Sequence, residues 1–325
     1  MRVLLAGASG ALGTSVLASL LAHGHTVIVV AGRAGEYAQL QERSQAAELS
    51  QTAQHPVMEH VANLDDRGAF LASLDGLGAD AVISLHGADN ELHPGFRSAQ
   101  SLNRVRMEGT STLLAATRIL GASRFVGASS FEGYGLRDHG DIELAESAPF
   151  GVDDGPRATA TQTALLSAEQ QVRAFGGTVL RLGYVYATEA SSIPPVCSTW
   201  SGSLPVIYAD DAALGFTLAL EAPGAEISSA RSGPGPVYNL AAPAPATWTL
   251  LQQLQARANG FPEPIALPAA VLRAISPNAG RLIAETSMRL TSASAMEALG
   301  WSAAHPTLES AFLPANTATL VGAPA

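Results

Sequence analysis

Three glycines near the N-terminus, Gly7, Gly10 and Gly13, are spaced as GxxGxxG between an apolar strand pattern and a helix pattern. Glycines at such a junction permit a tight turn and let the backbone approach a pyrophosphate closely. The N-terminus of the following helix adds free N–H donors and a positive dipole. We therefore predict that this loop binds a dinucleotide, through residues Gly7, Ser9, Gly10, Ala11, Leu12 and Gly13.

The second strand pattern, Thr26 to Ala31, is followed by Gly32 and Arg33. An NAD site usually places an acidic residue here to bind both ribose hydroxyls, whereas a nearby arginine accommodates a 2′-phosphate. Residues 29 to 33 contain no acid. The sequence therefore favours NADP(H) over NAD(H) and predicts Arg33 as a cofactor contact; the alternative is that Arg33 is only a solvated surface charge.

The charged residues of this 325-residue chain restrict its chemistry, because all 18 Lys and Arg residues are arginine. Schiff-base chemistry and the Walker A phosphate loop each require a lysine and are excluded. The net charge of −10 argues against nucleic acid and acidic membranes as partners. Cys197 is the single cysteine, and the eight histidines show no metal-ligand spacing, so we predict a cytoplasmic protein without a metal.

The elements that must position these residues alternate along the chain. Apolar strand patterns at 3–6, 26–31, 81–85, 124–128 and 178–182 are separated by helix patterns, which predicts a doubly wound parallel sheet of Rossmann type. Residues 205–244 resume this pattern. We assign 1–187 and 205–244 to an NADP(H)-binding domain, and 188–204 and 245–325 to a smaller C-terminal substrate-binding domain. No stretch has the pattern of a signal peptide or a membrane span.

A series of short motifs follows the glycine loop in a fixed order. They are NLDD at 63–66, DAVISLHGA at 80–88, EGT at 108–110, SSFEGYG at 129–135, RLGYVY at 181–186, DDA at 210–212 and LGW at 299–301. In this order they resemble the extended short-chain dehydrogenases/reductases over nearly the whole chain. The resemblance implies a catalytic serine and a set of further cofactor contacts, namely Ser130 for the first and Asn63, Leu64, His86, Gly87, Ala88 and Val185 for the second.

The chain departs from that family at its acid catalyst. The family's YxxxK motif, counted back from Glu169, would fall at Thr161 and Leu165. No shift of register restores the pair, because the chain has no lysine and no tyrosine between Tyr134 and Tyr184. The family's usual asparagine is replaced by Arg106, although Asn103 lies one helical turn earlier. A tyrosine acid whose pKa is lowered by a lysine is therefore absent.

The remaining candidate residues are Ser130 and the predicted substrate contacts. We predict Phe131, Tyr134, Thr161 and Tyr184 as substrate contacts, and we interpret the tyrosines as packing residues rather than acids. Ser130 either orients a substrate carbonyl or is a buried serine satisfied by the backbone.

Three functions compete on this basis. The chain resembles ketoreductases that tailor aromatic polyketides, in particular those of the angucyclinone type. This implies NADPH-dependent reduction of an aromatic ketone, with a neighbouring phenol of the substrate supplying the proton. The second hypothesis is an NADP(H)-binding redox sensor without turnover, and the third is a nucleotide-sugar epimerase or dehydratase. The predicted partner is a small aromatic ketone, and the protein is expected to be a monomer or homodimer.

Overall fold

The computed structural model describes residues 1–38, 57–86, 88, 99–151, 159–227 and 233–312. The strands are β1 Arg2–Ala6, β2 Thr26–Ala31, β3 Val57–Val61, β4 Ala81–Ser84, β5 Arg124–Ser130, β6 Asp138–Leu144, β7 Thr178–Leu182, β8 Tyr184–Tyr186, β9 Val196–Cys197, β10 Val206–Tyr208, β11 Val237–Leu240, β12 Ala266–Leu267 and β13 Ser287–Leu290. The α-helices are α1 Ala11–Ala22, α2 Arg67–Ser73, α3 Ala99–Arg104, α4 Thr110–Ile119, α5 Thr159–Phe175, α6 Ala209–Glu221, α7 Trp248–Asn259, α8 Ala269–Ile275, α9 Pro277–Ala284, α10 Ala293–Leu299 and α11 Leu308–Phe312.

Seven strands form one parallel sheet in the order β11-β7-β5-β4-β1-β2-β3. Its central strands are buried along almost their whole length, as expected of a parallel sheet covered on both faces. The strand order reverses between β1 and β4, where neighbouring loops diverge and leave a crevice at the carboxyl ends of the strands. The predicted doubly wound Rossmann fold is confirmed.

Helices pack on both faces of the sheet. On one face α1 and α6 lie side by side, and Ser19 and Thr217 share a hydrogen bond of 2.8 Å between the two helices. Val16, Leu20 and Phe216 are fully buried in this layer. On the other face α2, α4 and α5 cover β4, β5 and β7, with Phe70 and Leu113 fully buried. These two layers hold the loops at the crevice in fixed positions.

A second hydrophobic core lies toward the C-terminus. It joins Phe131, Tyr184 and Trp248 to side chains of α8, α9 and β13. Three two-stranded parallel pairs accompany it: β8 with β10, β9 with β12, and β6 with β13. Because β6 pairs with β13, residues 138–144 join the C-terminal elements. The predicted division at residues 187, 204 and 244 stays a prediction.

Several strands were not predicted from the sequence, among them β3 and β6. β3 at the sheet edge is only half-buried and carries Glu59 and His60, and β6 is largely exposed within a Gly- and Asp-rich stretch. Neither shows the apolar run that identified the central strands. Within the described segments, no helix combines the length and apolar character needed to cross a membrane.

Candidate active site

A large cleft of about 1340 Å³ follows the carboxyl ends of the strands. It begins at the glycine loop after β1, passes the ends of β2 and β4, and ends between β8 and α7. We call the part at the glycine loop the cofactor end, and the part formed by residues 184–194 and α7 the substrate end. The position at the strand reversal is where open α/β sheets bind ligands.

The glycine loop is shaped to admit a ligand. Gly7 has a φ of +97°, a conformation that favours glycine. A Cβ on Gly13 would overlap the Gly7 carbonyl oxygen, so this glycine lets α1 pack close to the loop. A Cβ on Gly10 would meet no atom within 4 Å. The loop therefore fits a pyrophosphate, and Ser9, Ala11 and Leu12 line the cleft with the three glycines.

An acidic residue that the sequence analysis missed lies at the end of β2. Glu36 lines the cleft there, and its Oε2 accepts a hydrogen bond of 2.9 Å from the Gly32 N–H. Arg33 is exposed and is not among the lining residues. Glu36 lies three residues beyond Arg33 in the sequence, and the turn after β2 brings it back to the strand end. Arg33 and Glu36 thus both lie near the place where the protein would contact the 2′ position of the ribose.

The other predicted cofactor residues follow along the cleft. Asn63 and Leu64 line it after β3, and the Asn63 Oδ1 accepts a hydrogen bond of 3.0 Å from the Asp65 N–H. Lining residues after β4 include His86 and Ala88, whereas Gly87 lies outside the described residues. Val185 contributes from β8. The structure therefore brings these residues to one cleft, and their contacts with a cofactor remain predictions.

A buried polar cluster occupies the region of the missing acid. Asn103 accepts a hydrogen bond of 3.0 Å from Arg106 through its Oδ1 and donates through its Nδ2 to the Thr161 Oγ1 at 3.5 Å. The Arg106 guanidinium is 1% exposed and lies 3.8 Å from the Glu132 carboxylate. Leu165, at the lysine position, is buried. The cluster thus has a cation and a carboxylate, but neither the phenol nor the ammonium group of the family.

Arg106 lies in an irregular part of the helix. Residues Val105–Gly109 form a π turn between α3 and α4, a feature that occurs often at functional sites. The sequence placed Asn103 and Arg106 three residues apart, which indicated that they share a helix face. It gave no sign that Glu132 would meet them, because that contact depends on the tertiary packing.

Ser130, Phe131 and Tyr134 are buried in the interior of the protein. Ser130 is buried, and its Oγ accepts a hydrogen bond of 3.3 Å from the Glu132 N–H. Tyr134 donates to Asn239 Oδ1 and accepts from Arg181 Nη1, both at 2.8 Å. None of Ser130, Phe131, Tyr134 and Thr161 is among the residues that line the cleft. Their predicted roles at the substrate stay predictions, and the hydrogen bonds of Tyr134 show it held within the interior.

The predicted substrate contact Tyr184 does line the cleft. Its ring packs edge-on against Trp248, with centroids 5.2 Å apart. Burial, and then the negative charge of Glu132, raise the pKa of the Tyr184 phenol well above its ordinary value. Burial also raises the pKa of Tyr134, although Arg181 opposes that shift. Both phenols are therefore weaker acids than a solvated tyrosine.

The described residues contain no group of three His, Cys, Asp or Glu side chains that could hold a metal ion. The substrate end is instead lined by neutral polar and aromatic groups, including Tyr184, Tyr186, Gln252 and Gln255. Glu189 lies among them. The cleft thus joins a cofactor end centred on the glycine loop to a substrate end lined largely by polar and aromatic residues.

Comparison with known proteins places the chain among similar sequences and folds. A curated relative, a 3-diazoavenalumate denitrifying reductase from Streptomyces sp, is 29% identical over 321 residues, covering 94% of this chain and 97% of the relative. The structure of human epimerase family protein SDR39U1 with NADPH is similar with a TM-score of 0.66 at 22% identity, covering 96% of this chain and 98% of that one. UDP-glucose 4-epimerase of Thermotoga maritima with UDP-glucose gives 0.68 at 19% identity, covering 96% and 97%.

The two solved structures establish the fold. Assignment to a family comes from a model described as the NAD dependent epimerase/dehydratase family, which matches residues 3–241. This range contains the glycine loop, the polar cluster and β8. The matched region and the relative together indicate an NAD(P)-dependent enzyme of oxidoreductase or epimerase type. The chain belongs to the NAD dependent epimerase/dehydratase family, that is, to the extended short-chain dehydrogenases/reductases.

Proposed function

We propose that the protein is an NADPH-dependent reductase of a flat aromatic substrate, and that it reduces this substrate without a proton from a protein acid. One observation carries the proposal: Thr161 and Leu165 stand where the family has its tyrosine and lysine, and the nearby phenol of Tyr184 has a raised pKa. A bound NADPH would supply the hydride. The reaction must then either consume no proton or take its proton from a group on the substrate itself.

A ketone beside a phenol on an aromatic polyketide meets this requirement. The carbonyl carbon accepts the hydride, its oxygen becomes an alkoxide, and the neighbouring phenol transfers its proton to that oxygen. Water then returns a proton to the phenolate. A donor held within the substrate acts at high effective concentration, so no acid from the protein is required.

An aryl diazonium is a second candidate acceptor, and the curated relative favours it because its name describes a denitrifying reductase of a diazo compound. The aromatic carbon would accept the hydride and dinitrogen would leave, so the reaction consumes no proton. A cleft without a tyrosine–lysine pair suits this chemistry equally well. The acidic Glu189 at the substrate end is compatible with a cationic substrate.

NADP(H) is the proposed cofactor because Arg33 lies two residues after the end of β2. Glu36 acts against this choice, since a carboxylate near the ribose suits NAD(H) and repels a 2′-phosphate. The two side chains compete at one position. Measurement of both dissociation constants decides between them.

The test combines purified protein and NADPH with three compounds: a tetralone with a hydroxyl peri to its ketone, the same tetralone with that hydroxyl methylated, and an ortho-diazophenol. We expect loss of NADPH absorbance with the hydroxytetralone or the diazophenol, and almost none with the methoxytetralone. Equal rates for the two tetralones would contradict substrate assistance. Tight NADPH binding without oxidation by any of the three would support the redox-sensor alternative.

A further inference from the structure

One face of α7 holds the segment that follows β8. Trp248 Nε1 donates a hydrogen bond of 2.9 Å to the Pro195 carbonyl, and Gln255 Nε2 donates one of 3.0 Å to the Ala187 carbonyl. Asn259 donates to the Thr188 carbonyl at 2.8 Å. These side chains recur at intervals of one or two helical turns, so they share one face. Three of the polar groups on this face therefore fix the wall of the substrate end.

Gln252 lies on the same face, one turn after Trp248, but its amide oxygen makes no such hydrogen bond to the described residues. Its side chain is 1% exposed and lines the cleft, yet its Oε1 has no hydrogen-bond partner within the segments that the structure describes. A buried amide without a partner lowers stability. Its position in the cleft wall indicates that a ligand supplies the missing partner.

Tyr186 provides a second polar group of this kind. It is 3% exposed and lines the cleft, and its hydroxyl has no partner among the described residues. The ring stacks on Phe312 with centroids 6.1 Å apart, and packs against Tyr208 at 5.5 Å. Aromatic neighbours thus fix the ring, which leaves the hydroxyl group in a set place. A hydroxyl and a primary amide can each donate and accept.

The charge of the substrate end restricts what these groups bind. Of the described residues that line it, Glu189 alone carries a charge, and none is arginine. Phosphate and carboxylate groups are usually bound by arginine, often through paired hydrogen bonds. An anionic substituent therefore lacks a counter-charge here, whereas a neutral hydroxyl or carbonyl group is the kind of partner that an amide or a phenol hydroxyl can bind.

We propose that Gln252 and Tyr186 recognise an uncharged oxygen substituent, a hydroxyl or a carbonyl, on the aromatic substrate. This inference rests on the proposed reductase function and adds the substituent by which the substrate is selected. It also gives a reason for the chain to reject nucleotide sugars, whose diphosphate would meet Glu189 instead of an arginine. The two residues are specificity determinants and take no part in the transfer of hydride or proton.

The test measures binding of danthron, a neutral dihydroxyanthraquinone, by titration calorimetry with NADP⁺ present. The variants are Gln252→Leu and Tyr186→Phe. The matched control is Gln253→Leu, which makes the same change one residue further along α7, at a position that does not line the cleft. We expect each test variant to weaken danthron binding about tenfold, the loss of roughly one hydrogen bond. The control should bind as the wild type does.

Two further measurements separate recognition from structure. The melting temperature of Gln252→Leu should equal or exceed that of the wild type, because the substitution removes a buried amide oxygen that has no partner among the described residues. Gln255→Leu should melt lower, since it loses the bond to Ala187. Affinity for NADP⁺ should be unchanged in Gln252→Leu. If that affinity falls while danthron binding is retained, the amide serves the cofactor and the proposal is wrong.

The remaining outcomes are equally decisive. Wild-type danthron affinity in both test variants, or no danthron binding by the wild type, would overturn the proposal. Tighter binding of UDP-glucose than of danthron would overturn it as well. Danthron binding that depends on Gln252, together with no reduction of the tetralone or diazophenol probes, would leave this site standing and reject the reductase function.

Discussion

The two ends of the cleft recognise their ligands by different means. At the cofactor end the glycine loop presents its backbone to the cleft: the loop's shape depends on Gly7 and Gly13, and Gly10 leaves the loop uncovered by a side chain. At the substrate end the binding surface is made of side chains such as Tyr186 and Gln252, which come from elements far apart in the chain. A backbone surface needs few particular residues, whereas a side-chain surface changes with each substitution. The chemistry of this protein can therefore differ from that of its family while its cofactor site keeps the family pattern.

The largest expected effect of a substitution is at the cofactor end. Gly10→Val should weaken NADPH and NADH binding together by about 100-fold, since one or two charge-assisted hydrogen bonds of about 1.5 to 3 kcal/mol each would be blocked. A Cβ at this position meets no protein atom within 4 Å, and the φ of −89° suits valine. Fluorescence titration with each cofactor measures the change.

The melting temperature of the Gly10→Val apoprotein provides the control and should stay near that of the wild type. Unaltered affinity for both cofactors would show that the loop is only a structural turn. Danthron binding without cofactor should persist in this variant, because the substitution lies at the opposite end of the cleft. Loss of both ligands together would mean that the two ends do not act separately.

The pH dependence tests the source of the proton. If the substrate phenol is the acid, the rate of ketone reduction falls about tenfold per pH unit above the pKa of that phenol, because only its protonated form can donate. Burial raises the pKa of Tyr184, so a reaction that used this tyrosine would continue to higher pH. Two hydroxytetralones with different phenol pKa values should give two different profiles. A single profile for both would assign the acid to the protein.

Cofactor choice is expected to respond by a smaller factor. Arg33→Ala should lower the preference for NADPH over NADH about tenfold, which corresponds to about 1.4 kcal/mol. Glu36→Gln should raise that preference, because it removes the negative charge beside Gly32. The ratio of the two dissociation constants is the measurement. Equal affinities for the two cofactors in the wild type would reject the NADP(H) assignment.

The sequence predicted the parts of the molecule that depend on local pattern. Buried strands appear as apolar runs, and the glycine loop is recognised because strand, turn and helix are adjacent in the chain. β3 was missed because an edge strand that carries Glu59 and His60 has no such run. Its neighbours in the sheet decide that it is a strand.

The substrate end could not be predicted in the same way. Gln252 is an ordinary polar residue on a helix until burial leaves its amide oxygen without a partner. The Arg106–Glu132 contact joins residues from two different elements, and Glu36 returns to the end of β2 through a turn. The spacing of residues along a single sequence does not show which of them come into contact in the folded protein. The missing tyrosine and lysine were visible because the family motif gives them fixed positions.

Ser130→Ala tests whether the Ser130 hydroxyl orients a substrate carbonyl. We expect ketone reduction to fall less than about tenfold, the loss of one hydrogen bond to the carbonyl. Reduction of the diazophenol should not change, because that reaction has no carbonyl to orient. Loss of the cap on the Glu132 N–H is expected to cost about 1 kcal/mol of unfolding free energy. Equal loss of activity on both substrates would assign Ser130 a structural role only.

The smallest effect is expected at Thr161, where the family would hold its catalytic acid. A positioned acid contributes about 10² to 10⁴-fold in rate, so the corresponding substitution in a tyrosine-dependent enzyme is severe. Here the hydroxyl accepts a long 3.5 Å hydrogen bond from Asn103, and Thr161→Val keeps the volume of the side chain. We expect kcat to change by less than about twofold, since no hydrogen bond to the reacting atoms is lost.

Steady-state kinetics with the hydroxytetralone and the diazophenol measure the change in kcat. Leu165→Met, which also introduces no acid, serves as the matched control at the lysine position. A fall of about 100-fold in Thr161→Val alone would show that the hydroxyl takes part in proton transfer, and would place the acid in the protein.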